Sequence, residues 1–107
     1  MTASILIVDD QPHVRQFLSE ELIYEGYRVA TAGDAESAKG YLRSSRPDLL
    51  VLDLYLDGLE GFEVLDEIRR QGRRLPVIVF TAYDSYRDDP RLSWVDGYVM
   101  KASSRAS

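Results

Sequence analysis

The chain has 107 residues, the size of one small domain able to bury a core without staples, and it is read as one domain over 1–107. Thirteen Lys and Arg against eighteen Asp and Glu leave a formal net charge of -5, so direct nucleic-acid binding by this segment is not expected, since nonspecific attraction to phosphate backbones needs positive surface. The absence of cysteine excludes disulfides, thiolate nucleophiles and Cys-based zinc sites, and with no apolar run of membrane-spanning length and no N-terminal signal pattern the chain reads as cytoplasmic.

Ile5 to Val8 is a short run of Ile, Leu and Val without polar alternation, the pattern of a strand buried on both faces of a parallel sheet. Pro12 then suits the first turn of a helix in which Val14, Phe17, Leu18, Leu22 and Ile23 recur at helical spacing until Gly26, a C-cap residue type. Tyr27 to Thr31 reads as a second strand. Asp34 caps a second helix whose inward face carries Ala35, Ala38, Tyr41 and Leu42 before Pro47 stops it.

Leu49 to Leu52 is a third strand, followed by a glycine-containing loop and a helix with Phe62, Val64, Leu65 and Ile68 on its apolar face, ending near Gly72. Val77 to Phe80 follows as a fourth strand. Beyond Thr81 the sequence is polar through Asp89 and Pro90, with Leu92, Trp94 and Val95 as apolar anchors, so any helix there is short or irregular. Tyr98 to Met100 supplies a fifth strand. Alternating strands and helices specify an α/β domain with helices on both faces of a parallel sheet. A helix to cover the fifth strand is not found in Ala102 to Ser107, so the final helix is expected to be absent or truncated.

In open α/β sheets the ligand site lies beyond the carboxyl ends of the strands. Here those ends read Asp9 and Asp10, Asp53, Thr81 and Lys101. Three carboxylates about 5 Å apart repel by on the order of 3 kcal/mol per ionised pair at an effective dielectric near 20, and one lysine does not balance them. A hard divalent cation, Mg²⁺ or Mn²⁺, is implied. A carboxylate is also a nucleophile toward phosphorus, and phosphoryl transfer mainly requires positioning and neutralisation of the phosphoryl oxygens, which the metal, Thr81 and Lys101 could supply.

The ordered pattern of Ile5 to Asp10, Leu49 to Asp53, Val77 to Ala82 and Tyr98 to Lys101 resembles the receiver domains of two-component response regulators, over nearly the whole chain. Any one of these motifs alone is weak, whereas five matching positions in order are specific. The resemblance implies a doubly wound five-stranded parallel sheet in the flavodoxin-like order 2-1-3-4-5. It implies that Asp53 accepts a phosphoryl group from a sensor histidine kinase or histidine phosphotransfer protein, that Asp10 binds Mg²⁺ directly and Asp9 mainly through water, and that the backbone carbonyl of Tyr55 completes the metal site. Lys101 would contact the phosphoryl group, the Thr81 hydroxyl would move to meet it, and Tyr98 matches the aromatic switch position, with output through the Asp84 to Met100 region. Such a protein is a signalling phosphoacceptor that catalyses only its own phosphorylation and dephosphorylation.

Some positions depart from the family pattern. Ala102 stands where a proline commonly follows the active-site lysine, so a cis bond there is not expected and Lys101 is expected to be less rigidly placed. Asp57 and Gly58 replace a proline-containing turn, which should make that loop more flexible and more negative. Tyr55 and Tyr83 occupy the two variable positions flanking the acceptor, where bulk would obstruct an attacking water and lengthen the phosphorylated state. Asp88, Asp89 and Pro90 interrupt the fourth helix on the face that commonly carries dimerisation, which leaves a homodimer open.

Each residue has a bland reading: a solvated turn and cap for Asp9 and Asp10, a strand terminus for Asp53, a local cap for Thr81, a surface lysine for Lys101. Their joint placement argues against it. His13 lacks a second ligand or nucleophile at useful spacing, and Trp94, Tyr24, Tyr27 and Tyr41 are packing residues with no basic stripe beside them. The rival within the fold is a pseudo-receiver interaction module not regulated by phosphorylation. A phosphatase of the haloacid dehalogenase type would want an aspartate where Tyr55 stands, and a flavodoxin-like carrier would need a phosphate-cradling loop where Asp9 to Pro12 stand.

Overall fold

A computed structural model describes residues 2–101. Its elements in chain order are β1 (Ser4–Val8), α1 (Pro12–Tyr24), β2 (Arg28–Ala32), α2 (Ala35–Ser44), β3 (Leu49–Leu52), α3 (Gly61–Gln71), β4 (Val77–Thr81), a 3-10 turn at Pro90–Leu92 and β5 (Gly97–Met100). All neighbouring strands are parallel, in the order β2-β1-β3-β4-β5. The expected absence or truncation of a final helix, and the bond between Lys101 and Ala102, lie outside the described residues.

Alternation along the strands divides the sheet into two faces. Leu6, Val8, Leu50, Leu52, Val77 and Val79 form one core with α2 and α3, each such side chain stabilising the fold by about 1.5–3 kcal/mol on burial. Ile5 and Ile7 point the other way, beneath α1, which packs on β1 and β2.

Helix α2 begins as the sequence dictates: the Asp34 carboxylate accepts from the Ser37 N–H at 2.7 Å, and Ala35, Ala38 and Leu42 turn inward. At its far end the carbonyls of Leu42 and Ser45 accept from Arg73 Nη1 at 2.7 and 3.3 Å, so a guanidinium serves the negative end of the helix dipole. Helix α3 buries Phe62, Val64, Leu65 and Ile68 and ends at Gly72 in a left-handed conformation (φ 67°), which lacks the Cβ penalty other residues meet there.

Helix α3 also buries Glu67. Its carboxylate accepts from Arg43 on α2 at 3.1 Å, Gln71 at 2.9 Å and Arg70 at 2.8 Å, and these donors hold its pKa down at about 2. One acid thereby ties the two core helices together.

Helix α1 differs from the reading of its periodicity. It forms, but none of its residues is fully buried, and Phe17 and Ile23 are 61% and 57% exposed. Spacing marks a helix; it does not say how wide a stripe the sheet covers. Its end is capped at Glu25, one residue before the expected Gly26, which follows with φ 102°.

The polar stretch after Thr81 contains, as expected, little helix: Asp89 caps the short turn by accepting from the Arg91 N–H at 2.8 Å. Leu92 is buried, and Trp94, Val95 and Tyr86 pack against the core from this connection. No helix among the described residues is long and apolar enough to cross a membrane.

Candidate functional site

Parallel register brings distant residues together. Val8 lies opposite Leu52, Leu52 opposite Val79, and Thr81 opposite Met100, so the residues that follow β1, β3, β4 and β5 emerge along one edge of the sheet. Asp9, Asp10 and Asp53 meet there, each offering a carboxylate oxygen within 4.8 Å of the others; His13 is not part of this cluster. Asp9 and Asp53 are 2% and 5% exposed, while Asp10 is open to solvent.

Lys101 bridges the two buried acids. Its Nζ lies 2.8 Å from Asp9 Oδ2 and 2.8 Å from Asp53 Oδ2, and it donates to Gln11 Oε1 at 3.1 Å. Lys101 thus has three partners, while the looser placement expected from Ala102 turns on a residue outside the described ones. The remaining oxygens are also engaged: Asp53 Oδ1 accepts from the Tyr55 N–H at 3.0 Å and Asp9 Oδ1 from the Gln11 N–H at 2.9 Å. Arg15 adds a bond to the Asp9 backbone carbonyl at 2.7 Å.

Burial raises the Asp9 carboxyl above its ordinary range, against the opposing pull of its hydrogen bonds from Lys101 and Gln11. Burial also works against the Lys101 ammonium, but its hydrogen bonds to Asp53 and Asp9 outweigh that and leave its pKa raised. Two acids facing one base is an edge short of positive charge.

The backbone beneath Asp53 has a specific requirement at Gly61. A Cβ there would stand 2.5 Å from Leu54 Cα and 2.6 Å from the carbonyl oxygens of Asp53 and Leu54, so only glycine lets α3 start this close to the loop after β3. Within that loop Asp57 and Gly58 both adopt positive φ, 45° and 86°, forming the turn that replaces a proline-containing one.

Tyr55 and Tyr83 stand over the site as a tilted pair with ring centroids 5.1 Å apart, each nearly half exposed. With Asp10, Gln11, Asp53, Ala82 and Lys101 they line a cleft of about 170 Å³. That is smaller than the usual pocket for an organic ligand and matches the scale of an ion and a phosphoryl group. A larger cleft at Gly72 to Pro76, Trp94 and Asp96 contains none of these carboxylates, so chemistry rather than volume singles out the smaller one.

Thr81 is fully buried at the end of β4, its hydroxyl accepting from the Tyr83 N–H at 3.4 Å, and it does not line the cleft. Tyr98, half-buried on β5, donates its hydroxyl to the Tyr83 carbonyl. The sequence reading thus named the acids, the lysine and the two tyrosines over the cleft, and it missed Gln11 and Arg15. Gln11 sits next to the acid pair, which is the one signal that could have flagged it.

A family model described as the response regulator receiver domain matches residues 5–106. The probable transcriptional regulatory protein TcrX of Mycobacterium tuberculosis is 41% identical over 105 residues, covering 94% of this chain and 44% of TcrX. The transcriptional regulatory protein AfsQ1 of Streptomyces coelicolor is 40% identical over 113 residues, covering 96% of this chain and 50% of AfsQ1. The chain spans about half the length of these curated relatives or less. Among solved structures, the response regulator TrrA of Thermotoga maritima in complex with Mg²⁺ and BeF superposes with a TM-score of 0.87 at 40% identity, over 94% of this chain and 88% of TrrA. TrrA bound to the histidine kinase ThkA gives 0.84 at 40% identity, over 94% of this chain and 87% of that one.

Proposed function

This chain belongs to the response regulator receiver domain family, and on that premise we propose that Asp53 accepts a phosphoryl group from a histidine of a sensor kinase or histidine phosphotransfer protein. The observation that carries the proposal is the state of Asp53. It is a buried carboxylate with one oxygen anchored by the Tyr55 N–H and the other held by Lys101, beside two further acids.

In the step itself an Asp53 oxygen attacks phosphorus while the phosphorus–nitrogen bond of phosphohistidine breaks, and the departing imidazole keeps the electron pair. The product is an acyl phosphate. Lys101 remains protonated and turns from the carboxylates to a phosphoryl oxygen. The donor set fits a hard cation, three carboxylate oxygens within 4.8 Å with too little positive charge nearby. Asp10, whose carboxylate is exposed, would hold it directly, Asp53 and the Tyr55 carbonyl would complete the protein ligands, and Asp9, already bonded to Lys101 and Gln11, would act mainly through water. Mg²⁺, or Mn²⁺ on the same oxygens, would neutralise charge on the transferring group. That TrrA is seen with Mg²⁺ and BeF, and with a histidine kinase, supports the ion and the class of partner.

Signalling follows if the Thr81 hydroxyl leaves the Tyr83 N–H for the phosphoryl oxygens. The loop after β4 would then move, Tyr98 would register it through the Tyr83 carbonyl, and output would pass through the Asp84 to Met100 region. Residues 1–107 would act as one such receiver in the cytoplasm, with the output carried by a partner or by further chain of the kind its longer relatives contain. Nothing about the acid cluster favours the pseudo-receiver alternative.

Intact mass after incubation with Mg²⁺ and a small phosphodonor tests the proposal. A gain of one phosphoryl group, lost in Asp53→Asn and on chelation, is expected; an unmodified, folded protein would refute it.

A further inference from the structure

The connection between β4 and β5 has only the 3-10 turn at Pro90–Leu92, so no α-helix of the described residues steadies Tyr98 from that side. Arg87 stands there instead. Its guanidinium carbon lies 4.8 Å from the centre of the Tyr98 ring, its Nε donates to Asp84 Oδ1 at 2.7 Å, and its Nη1 is 3.5 Å from the Tyr98 carbonyl. The tip of the same ring is bonded to the Tyr83 carbonyl. Tyr98 is thus gripped at its tip by residue 83 and on its face by residue 87, itself anchored on residue 84, all within six residues of Thr81.

An exposed Arg–Asp pair by itself contributes little. Here it orients a planar cation over an aromatic face, which a lysine with its compact, hydrated ammonium does not reproduce. We infer that Arg87 is a positioning residue for Tyr98: it fastens β5 to the loop after Thr81, so that a displacement of that loop carries the Tyr98 ring with it. The meaning of that displacement rests on the proposed phosphoacceptor function; the clamp itself does not.

The test is NMR of protein carrying ¹³C-labelled tyrosine, with the Tyr98 ring signal identified by its loss in Tyr98→Phe, with and without Mg²⁺ and beryllofluoride. In Arg87→Ala the Tyr98 signal of the free protein should move toward that of an exposed tyrosine. Its shift on adding the analogue should shrink at least about twofold, the factor an exposed cation–π contact supports. Affinity for the analogue should stay within about fivefold of wild type, because Arg87 touches neither the acids nor the cleft. Arg87→Lys should resemble the alanine variant.

An unchanged Tyr98 signal in Arg87→Ala, full rescue by lysine, or equal shifts at the remote Tyr24 and Tyr27 would overturn the inference. If the wild-type protein itself fails to bind the analogue, the phosphoacceptor reading falls, while the Tyr98 signal of the free variants still decides for or against the clamp.

Discussion

Replacing Lys101 by methionine removes the one cation among the described residues that touches both Asp9 and Asp53. The two acids, almost wholly buried and with carboxylate oxygens no more than 4.8 Å apart, are left facing each other. At an effective dielectric near 20 that repulsion is at least about 3 kcal/mol. Removing one partner of a buried ion pair generally destabilises by about 3–5 kcal/mol, so the urea midpoint of Lys101→Met in metal-free buffer should fall by on the order of 2 M. Millimolar Mg²⁺ should then restore more stability to the variant than it adds to wild type, because ammonium and metal compete for the same oxygens; each tenfold gain in metal affinity adds about 1.4 kcal/mol at saturation. The deficit should also narrow in acid. Burial already raises the Asp9 carboxyl above its usual 3.8, and without the Lys101 hydrogen bond that opposes this rise it moves further up, so protonation as pH falls stabilises the folded variant more than wild type. Equal unfolding of variant and wild type without metal would refute the charge argument, and equal stabilisation of both by Mg²⁺ would refute the competition.

Gly61→Ala places a methyl against three backbone atoms that cannot swing aside, and it should destabilise by about 1–3 kcal/mol, lowering Tm by roughly 5–15 °C in calorimetry. Glu67, held at about 2 by Arg43, Gln71 and Arg70, contributes stability that is fully present above the unfolded value near 4.5 and is lost as pH falls through the folded one. Glu67→Gln should therefore flatten the acid limb of the stability curve between those values, as followed by urea titrations at stepped pH. Tyr83→Ala opens the aromatic cover over Asp53, and the acyl phosphate, timed by intact mass, should hydrolyse faster by a factor on the order of ten, equivalent to about 1.4 kcal/mol of barrier. An unchanged lifetime would mean that water reaches the phosphoryl group by another route.

What the sequence made legible follows from what each pattern encodes. Strand β1 is buried on both faces, whereas β3 and β4 bury one face and leave Val51, Ile78 and Phe80 half-buried on the other, less than their continuous apolar runs suggest; the runs still mark the strands, and the polar residues at their carboxyl ends mark the site. Strand β2 lies one residue later at both ends than the expected Tyr27 to Thr31, because Arg28 and Thr31 are exposed on an edge strand and blur its limits. Helix α1 was read from spacing that fits a buried stripe, yet Phe17 lies largely in solvent, a matter of tertiary cover that spacing does not encode. Gln11 escaped notice because its contact with Lys101 spans 90 positions, and Arg87 because it lies in a polar stretch with no period. Side-chain bonds of that kind depend on where two strands end in space.

The ammonium that bridges Asp9 and Asp53 is also the last of the three to be synthesised, 92 positions after the first acid and 48 after the second. Until β5 docks on β4, a growing chain holds the two acids without it, and they must stay hydrated. On the proposed function, readiness to take a phosphoryl group would therefore arrive with the pairing of β5 on β4. Phosphorylation of Asp53 would then report that β5 has found its place in the sheet.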